Sequence, residues 1–397
     1  MRSPGAPGKV LFCSHAAERT GPPIIMLHLA RWLRRNTDVD FELLFLQGGE
    51  LEEEFRSLAP VWILDEWEPP RAAAVAESFA WKVGLGRFAP RLRRRALRHR
   101  MRGVKDVDLV YVNTAGSVRA LRYLDLGEPT LITHVHELSV GLDHHLAPED
   151  HELIRQRTAH YIVVSEAVRE AVVESFGVPR EEIGLRYGFV ESADTRPDPE
   201  RTAAHRRAAG IPDDALVVGA AGLTHWRKAP DLFVQVARLV RERWTGDRPV
   251  HFLWVGGEAD GPELAPVLYD RHHAGLDDVV HFVGHQAEPQ PWFAAFDVLV
   301  LPAREDAFPL VCLEAAAEQV PLVCFDNGGM PEFVGDGACG RVVPYPDVSA
   351  MADAVLELLG DDELRSTLGR AAAERSAAAH DVEVGARGIY DELAPWL

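Results

Sequence analysis

Short apolar runs rich in β-branched residues alternate with longer amphipathic segments along most of this chain. Such alternation is typical of βα units, in which parallel strands form one sheet and helices cover both of its faces. The segments 24–35 and 166–176 show the apolar spacing of helices that pack on a sheet. Thirteen runs predict strands: Lys9–Ser14, Phe41–Leu46, Val61–Leu64, Asp108–Asn113, Thr130–His136, Tyr161–Ser165 and Ile183–Tyr187 in the first half, and Leu216–Ala221, His251–Val255, Val279–Val283, Asp297–Leu301, Leu322–Phe325 and Arg341–Val343 in the second.

A polar stretch rich in Pro, Asp and Arg, Glu191–Glu200, interrupts this alternation between the seventh and the eighth run. A chain of 397 residues is also long for one domain, so two domains are expected. We predict an α/β protein of two doubly wound, Rossmann-like domains, residues 1–190 and 201–379, joined by a linker at residues 191–200. Residues 380–397 are predicted to form an isolated helix with an aromatic end.

The composition excludes several classes of protein. A hydrophobic content of 47% is enough to build cores, and a formal net charge of −19 argues against general nucleic-acid binding. The four cysteines show no paired spacing and are expected to be reduced core residues. Because neither a secretory signal nor an apolar run of membrane-spanning length is visible, we expect a soluble, cytoplasmic protein.

The strand predicted to end at Leu301 runs into a short acidic loop, and a helix begins from that loop near Pro309. Asp306 lies in the loop, and Glu314 follows eight residues later, about one turn into the helix. In open α/β sheets, ligands bind outside the carboxyl ends of the strands, where the N–H groups of helix N-termini hold phosphates. A carboxylate one turn further on can accept hydrogen bonds from sugar hydroxyls. The helix dipole alone would explain Asp306 but not Glu314, so the pattern favours a nucleotide-sugar site.

A second loop offers positive charge to the same ligand. The strand ending at Ala221 is followed by Gly222, and two adjacent cations, Arg227 and Lys228, precede the next helix. A glycine, two cations and a helix N-terminus together can neutralise a leaving diphosphate without a metal ion. Paired cations before a helix are often an ordinary surface feature, but their place at a strand end favours a function.

In the first half of the chain, Thr20 and Gly21 lie where the first helix begins, and Arg19 is a further candidate for phosphate contact. A glycine there lets a ligand approach the backbone closely. The loop does not carry the GxGxxG pattern of dinucleotide-binding proteins, so dinucleotide binding is not predicted.

The strand predicted at Thr130–His136 ends with two histidines on one face, His134 and His136, followed by Glu137. His136 is a candidate site residue, and the alternative is a histidine satisfied within the core. The two imidazoles would need a third ligand to bind zinc. None is apparent, and no metal site is predicted.

In their order along the chain, these motifs resemble those of the retaining glycosyltransferases of family 4. The family signature is two acidic residues separated by seven others, then an Ala-rich helix, a Pro-Val strand and a Gly-Gly-x-Pro-Glu loop, which here is Gly328–Glu332. The resemblance implies the GT-B fold, two Rossmann-like domains facing across a cleft. Its first domain would bind the acceptor and its second the nucleotide sugar, and the last helix would cross back to the first domain.

The resemblance also implies roles for single residues. Lys228 matches the family lysine, whereas Leu223 stands where the family has an arginine, and Arg227 is expected to replace it. Asp306 stands where a glutamate is usual, so the adjacent Glu305 is a second candidate for that role.

His136 would face the transferred sugar, and Glu314 would accept hydrogen bonds from the ribose. The implied catalytic residues are His136, Asp306, Arg227 and Lys228. The implied donor-binding residues are Thr20, Gly21, Gly222, Arg227, Lys228, Glu305, Asp306, Ala307, Phe308, Pro309, Leu310, Val311 and Glu314.

The implied activity is metal-independent, retaining transfer of a sugar from a nucleoside-diphosphate sugar, without any cofactor. The acceptor would be a saccharide, a lipid-linked saccharide or a natural product, as in bacterial polysaccharide biosynthesis. One alternative is a nucleotide-sugar 2-epimerase of the same fold. Another is a catalytically silent, nucleotide-sugar-binding partner subunit, which Leu223 and Asp306 keep open as the two departures from the family pattern.

One segment departs from the acidic character of the chain, because Lys82 to Lys105 holds ten Lys or Arg residues and no acid. We predict a basic helix at Arg91–Arg102. Its apolar stripe is predicted to consist of Ala89, Leu92, Ala96 and His99. Such a helix can lie on an anionic membrane or receive an anionic acceptor, so peripheral membrane contact through Arg87–Arg102 is one expectation. The other is a solvated helix neutralised by the acidic protein around it.

Overall fold

The computed structural model describes residues 8–65, 74–75, 78, 81–82, 89–191 and 199–397. The chain divides into two compact units, the first formed by Met1–Tyr187 with Gly385–Leu397 and the second by Gly188–Val384. Most of the predicted linker, residues 192–198, lies outside the described residues.

The first unit is built on seven parallel strands in the order β3-β2-β1-β4-β5-β6-β7. These strands are β1 (Val10–Ala16), β2 (Phe41–Gln47), β3 (Val61–Ile63), β4 (Leu109–Asn113), β5 (Thr130–Val135), β6 (Thr158–Val163) and β7 (Ile183–Leu185). As far as they are described, the α-helices of this unit up to Tyr187 are Gly21–Asn36, Glu52–Leu58, Ala89–Met101, Ser139–His145, Pro148–Arg157 and Glu166–Phe176. Short 3-10 helices lie at Ala115–Tyr123 and Arg180–Glu182.

The second unit is built on six parallel strands in the order β10-β9-β8-β11-β12-β13. These strands are β8 (Leu216–Ala221), β9 (Val250–Val255), β10 (Val280–Phe282), β11 (Val298–Leu301), β12 (Leu322–Phe325) and β13 (Gly340–Val343). Its described α-helices are Pro199–Ala208, Pro230–Arg243, Ala265–His273, Gln290–Phe293, Leu310–Ala317, Met330–Val334, Val348–Gly360 and Asp362–Ala379. A 3-10 turn lies at Trp226–Lys228.

In both sheets the first strand is internal, and the chain returns to its far side after the third strand. The order in which strands are added therefore reverses between β1 and β4 in the first sheet, and between β8 and β11 in the second. At such a switch point the connections leave to opposite sides and open a crevice beyond the carboxyl ends of the strands. The loops after these four strands are where a ligand is expected.

All thirteen predicted strands are present, and the predicted fold class is confirmed. The boundaries agree within a few residues. The largest shift is at β6, which begins at Thr158 rather than at Tyr161. The Thr158 hydroxyl lies 2.8 Å from the Thr133 hydroxyl on β5, so a polar pair extends the sheet beyond the apolar run.

The central strands β4 and β8 are buried along their whole length, because helices cover both faces of each sheet. In the second unit, the ring of Phe233 packs at 6.0 Å from Phe252 and 5.5 Å from Trp254. All four cysteines are buried thiols, which confirms their interpretation as core residues. Burial raises the pKa of both Cys13 and Cys324 to about 12, so these thiols stay protonated.

The chain ends with a helix at Val382–Leu393 and a 3-10 turn at Ala394–Trp396. From Gly385 onward this segment belongs to the first unit. There Glu392 accepts from His160 Nε2 at 2.7 Å and pairs with Arg186 Nη2 at 2.6 Å.

The predicted basic helix is present at Ala89–Met101, but its predicted apolar stripe is wrong. The buried residues are Ala89, Leu97 and Met101, whereas Leu92 and His99 are exposed. The two largest apolar side chains at the C-terminal end, four residues apart, set the buried face and turn Leu92 toward solvent. Residues 87 and 88 lie outside the described residues. Within the part of the chain that is described, no helix is both long and apolar enough to cross a membrane.

Candidate active site

The candidate site of the second unit begins where β8 ends. Gly222 has a φ of +142°, and a Cβ atom added there would lie 3.3 Å from Lys228 Cδ. The 3-10 turn Trp226–Lys228 and Ala229, with a φ of 59°, then lead into the helix Pro230–Arg243. Glycine thus leaves room for the aliphatic part of Lys228 to lie against the end of the strand.

Lys228 and Asp306 meet across the switch point. Lys228 Nζ and Asp306 Oδ2 form an ion pair, and both side chains are largely buried. The two residues follow β8 and β11, which are neighbours in the sheet. Both residues were predicted to belong to one site, and the structure brings them together. An ammonium group in contact with a carboxylate can serve a phosphate oxygen and a sugar hydroxyl side by side.

Backbone contacts join the same two loops. The Arg227 carbonyl oxygen accepts hydrogen bonds from the N–H groups of Arg304 at 2.9 Å and Glu305 at 3.4 Å. Arg304 in turn donates to both carboxylate oxygens of Asp231, at 2.9 and 2.5 Å, and lies over the Trp226 ring at 5.4 Å. Arg304 therefore acts within the scaffold and fixes the position of the loop that carries Lys228.

The two departures from the family pattern have distinct surroundings. Leu223 is 56% exposed. Arg227, expected to replace the family arginine, is partly buried, and its Nη1 donates to the Glu305 carbonyl oxygen at 3.4 Å. Of the two adjacent acids, Asp306 is the one whose side chain contacts Lys228.

Glu314 lies on the helix Leu310–Ala317, where its side chain forms no hydrogen bond or ion pair with any residue of the described ranges. Burial raises the pKa of its carboxyl group to about 7. A partly buried carboxyl group with unused acceptor capacity can bind a pair of hydroxyl groups, which would also favour its charged form.

The residues between the two acids supply backbone groups. Pro309 caps the helix without any side-chain hydrogen bond, so the N–H groups of Leu310 and Val311 have no intrahelical acceptor. These amides can bind a phosphate oxygen. The remaining predicted residues of this loop are all buried, namely Glu305, Ala307, Phe308 and Pro309.

Glycines from two further strand ends support these loops. A Cβ atom at Gly328, where φ is +64°, would lie 2.1 Å from the Asp306 carbonyl oxygen, so the predicted Gly-Gly loop packs directly on Asp306. Gly256 and Gly257 were not among the predicted site residues. Their added Cβ atoms would lie 2.7 Å from the Gly222 carbonyl oxygen and 2.6 Å from the Thr224 nitrogen, respectively. The sequence signal for them is a Gly-Gly pair directly after a predicted strand.

The last residue of the predicted Gly-Gly loop, Glu332, lies in the first turn of the helix Met330–Val334. Its carbonyl oxygen accepts from Arg375 Nη2 at 3.0 Å, which ties the loop to the helix Asp362–Ala379.

In the first unit, Thr20 is the N-cap of the helix Gly21–Asn36, and its hydroxyl is buried without a partner among the described residues. A Cβ atom added at Gly21 would meet nothing within 4 Å. The start of this helix therefore offers a hydroxyl and open space to a ligand. Arg19, predicted as a phosphate contact, is exposed and pairs with Glu54 at 2.9 Å.

His136 follows β5, and its Nε2 lies 3.1 Å from Asn113 Oδ1. Asn113 is the fully buried last residue of β4, and its Nδ2 donates to the Pro22 carbonyl oxygen at 2.9 Å and to Ser14 Oγ at 3.3 Å. Asn113 was not among the predicted site residues. The sequence signal for it is a polar residue at the end of an otherwise apolar strand.

His134 is almost fully buried, its Nδ1 lies 2.5 Å from the Tyr111 hydroxyl, and its ring centre lies 4.1 Å from that of His136. Burial lowers the pKa of His134 to about 3. Burial, His134 and His15 lower the pKa of His136 well below its usual value, so both rings are neutral near pH 7. No three His, Cys, Asp or Glu side chains of the described residues come together as a metal site.

Glu137 orders the backbone around these histidines. Its Oε2 accepts from the N–H groups of His136 at 2.9 Å and Ala115 at 3.2 Å. Thr114, between β4 and the 3-10 helix, has a φ of +86°, which is rare for a β-branched residue. Strain of this kind concentrates at functional sites.

Two family models match the chain. Residues 20–193 match the model of Glycosyltransferase Family 4, and residues 214–361 match that of Glycosyl transferases group 1. The first range contains the Thr20 loop and His136, and the second contains the loops around Lys228 and Asp306.

Proteins named D-inositol 3-phosphate glycosyltransferase are similar to this chain. That of Kribbella flavida is 36% identical over 185 residues, which is 45% of this chain and 43% of the relative. That of Streptomyces avermitilis is 33% identical over 213 residues, which is 52% of this chain and 46% of the relative. The chain thus spans about half the length of the curated relatives it matches.

Solved structures are similar over nearly the whole chain. HepE of Anabaena in complex with UDP and glucose has a TM-score of 0.80 at 18% identity, over 98% of this chain and 99% of that one. Sucrose-phosphate synthase of Thermosynechococcus elongatus has a TM-score of 0.73 at 18% identity, over 98% of both chains. At such low identity the similarity shows only the fold, which both proteins share with this chain. With both family models matched in chain order on this fold, the chain belongs to the group 1 glycosyltransferases of family 4.

Proposed function

We propose that this protein transfers a sugar from a nucleoside-diphosphate sugar to an acceptor hydroxyl, with retention at the anomeric carbon and without a metal ion. The ion pair of Lys228 and Asp306 beside the helix that presents Glu314 carries the proposal. Cation, carboxylate and helix N-terminus are the groups that a diphosphate, a sugar and a ribose require. Two separate stretches of sequence, the loop after β8 and the loop and helix after β11, supply them at one switch point.

The cations of the loop after β8 hold the leaving diphosphate. Lys228 contributes an ammonium group and Arg227 a guanidinium group, and the N–H groups of Leu310 and Val311 face the same developing charge. Groups that are fixed before the reaction stabilise that charge without reorganising, which is why they lower the barrier. In this arrangement the protein's own cations do the work that a divalent metal ion does in other transferases.

The acceptor oxygen attacks the anomeric carbon from the face on which the diphosphate leaves. The bond from that carbon to the phosphate oxygen breaks as the new glycosidic bond forms, and the acceptor's proton passes to a diphosphate oxygen. This course needs no pair of carboxylates acting as nucleophile and acid, as in a glycosidase. Within the second unit, Asp306 positions the sugar, and Glu314 binds the ribose hydroxyls.

UDP is the first nucleotide to test, because HepE, which shares the fold, was solved with UDP and with UDP-glucose. An acceptor that carries a negative charge is favoured, because the relatives are named for an inositol phosphate. The positive charge of the basic helix in the first unit also favours a negatively charged acceptor.

That helix, Ala89–Met101, gives the acceptor or a membrane a positive surface. Arg94 and Arg95 are exposed on it, and the surrounding segment holds no acid. We propose contact with an anionic saccharide, free or lipid-linked. Arg94→Glu with Arg95→Glu should abolish co-sedimentation with vesicles that contain anionic lipid, whereas Arg207→Glu, an exposed change in the second unit, should not. If the wild type does not co-sediment with anionic vesicles, the membrane contact is ruled out.

A thermal-shift screen tests the donor site. Wild type is melted with UDP, GDP, ADP and dTDP and with their sugar conjugates, alongside Lys228→Ala and Glu314→Ala. Lys105→Ala and Glu374→Ala are matched controls, because both residues are exposed and away from the site. One nucleotide at a hundred times its Kd should stabilise wild type and both controls by about 2.7 kcal/mol, but neither site variant.

Each other outcome identifies a different protein. If no nucleotide stabilises wild type, the donor site is wrong. If a nucleotide sugar binds but is neither transferred nor hydrolysed, the chain is a silent binding subunit. If the sugar is released as its C2 epimer without an acceptor, the chain is an epimerase.

A further inference from the structure

Asn113 joins three elements at the switch point of the first unit. Its side chain contacts Pro22 in the first turn of the helix Gly21–Asn36, Ser14 in β1, and His136 after β5. It is fully buried, and the residue after it is the strained Thr114. None of the roles implied by the family resemblance falls on Asn113.

These contacts fix which way the amide points. The Pro22 carbonyl oxygen can only accept a hydrogen bond, so the atom 2.9 Å from it must be the amide nitrogen of Asn113. The amide oxygen therefore faces His136 Nε2, at 3.1 Å. Turning the amide over would bring two acceptors together without a proton between them. Hence His136 Nε2 carries a proton.

The other nitrogen of His136 is then the open one. The ring of His134 lies against that of His136, Glu137 accepts a hydrogen bond from the main-chain N–H of His136, and burial, His134 and His15 lower the pKa of His136. A neutral imidazole has one proton, which Asn113 draws to Nε2, so Nδ1 keeps a lone pair. Among the described residues, Nδ1 has no hydrogen-bond partner.

We propose that Asn113 is a positioning residue that holds His136 in its Nε2–H tautomer, so that Nδ1 accepts a hydrogen bond from a hydroxyl group of the transferred sugar. The identity of that hydroxyl rests on the proposed function, whereas the tautomer does not. In this state His136 orients the sugar and cannot serve as a general acid. The Pro22 contact couples the same amide to the start of the helix at Gly21.

Long-range proton–nitrogen NMR spectra of the full chain with ¹⁵N-labelled histidine test the tautomer, with His136→Gln to assign the signals. Wild type at pH 7 should show His136 protonated at Nε2 alone. In Asn113→Asp, a carboxylate beside Nε2 should favour the imidazolium, so that both nitrogens are protonated. Thr133→Val removes a buried hydrogen bond on the opposite face of β5 and should leave the His136 signals unchanged.

UDP-, GDP-, ADP- and dTDP-glucose are then added. The one that stabilises wild type should shift the Nδ1 signal, and its free nucleoside diphosphate should not. Compared with the wild type at the same pH, Asn113→Asp should lose donor turnover on the acid side, about tenfold for each pH unit below the raised pKa.

The outcomes separate this proposal from the proposed function. Protonation of His136 at Nδ1 in wild type overturns the tautomer, whatever binds. An unchanged Nδ1 signal in the presence of a sugar nucleotide that stabilises the protein overturns the hydroxyl contact. If none of the four stabilises the protein, the donor function fails, and the hydroxyl contact fails with it, while the spectra of the free protein still decide whether Asn113 sets the tautomer.

Discussion

Replacing Glu314 by glutamine should make the empty protein more stable and at the same time remove its response to nucleotide. The carboxyl group has no hydrogen-bonding partner among the described residues, and burial raises its pKa to about 7. Between the unfolded pKa of 4.5 and about 7, the native state holds a proton that the unfolded state lacks. The free energy of unfolding therefore falls as pH rises through that window, and the full penalty is present above it. Glutamine has nearly the same shape and no charge, so it avoids the penalty.

The size of the effect follows from the two pKa values. A rise from 4.5 to about 7 corresponds to about 3.4 kcal/mol, at 1.36 kcal/mol for each pKa unit. Because the side chain is only partly buried, water screens part of this penalty, and we expect about 2 kcal/mol. In a unit of this size, each kcal/mol shifts Tm by about 2–4 °C, so Glu314→Gln should melt about 4–8 °C higher at pH 8. At pH 5, half a unit above the unfolded pKa of 4.5, the difference should fall to less than half of that at pH 8.

The assay is thermal unfolding at pH 5 and pH 8, with and without the nucleotide chosen by the screen. Glu374→Gln, at an exposed position of the helix Asp362–Ala379, is the control and should behave as wild type at both pH values. A variant that is more stable when empty but no longer stabilised by nucleotide has traded function for stability. The reasoning is refuted if Glu314→Gln is less stable than wild type at pH 8, or if nucleotide still stabilises it as it does wild type.

Three further changes test separate parts of the structure. Asp306→Asn releases Lys228 from its ion pair, which contributes about 1 kcal/mol. Calorimetry should therefore show that a nucleoside diphosphate binds about fivefold tighter, while the preference for the sugar conjugate falls. Weaker diphosphate binding would contradict this. Gly328→Ala places a methyl group against the Asp306 carbonyl oxygen and should lower the free energy of unfolding in urea by more than about 2 kcal/mol. Gly210→Ala, at a φ of +75° with nothing within 4 Å, should lower it by only about 1 kcal/mol. Equal losses would show that the clash is relieved. The pKa of Glu392 is lowered chiefly by its hydrogen bond from His160, so this carboxylate stabilises the native state above its unfolded pKa of 4.5. Glu392→Gln should therefore lower Tm at pH 7 but not at pH 3. An equal loss of Tm at both pH values would rule out the charge as the cause.

The fold could be predicted from the sequence because its central strands are buried on both faces. A parallel strand under helices is a continuous apolar run, as at β4 and β8, and even the partly buried edge strands β3, β7 and β10 are mainly apolar. The basic helix shows where this reasoning fails. With arginine at six of the thirteen positions, the apolar stripe depends on three or four residues, and a choice between Leu92 and Leu97 rotates the whole face.

The site could be predicted as far as strand ends could be located. Lys228 and Asp306 were placed together because each follows a strand, and the order of the strands makes those two ends neighbours. Asn113 and Gly257 escaped because their roles depend on contacts between loops. The amide of Asn113 matters through Pro22, which is 91 residues away in the chain, and no local pattern carries that contact.

The two departures from the family pattern are better explained together than apart. Leu223 removes a cation from the glycine at the end of β8, and Arg227 restores one four residues later, on a turn whose backbone holds Arg304 and Glu305. Asp306 is one methylene shorter than the usual glutamate, and the ammonium group of Lys228 reaches it across the switch point. The positive charge and the carboxylate of the signature are both retained, at slightly different positions. A protein that bound no nucleotide sugar would have no reason to keep this balance, so the departures favour a working donor site with a rearranged phosphate loop, and binding of a nucleoside-diphosphate sugar by the wild type is the result that this balance predicts.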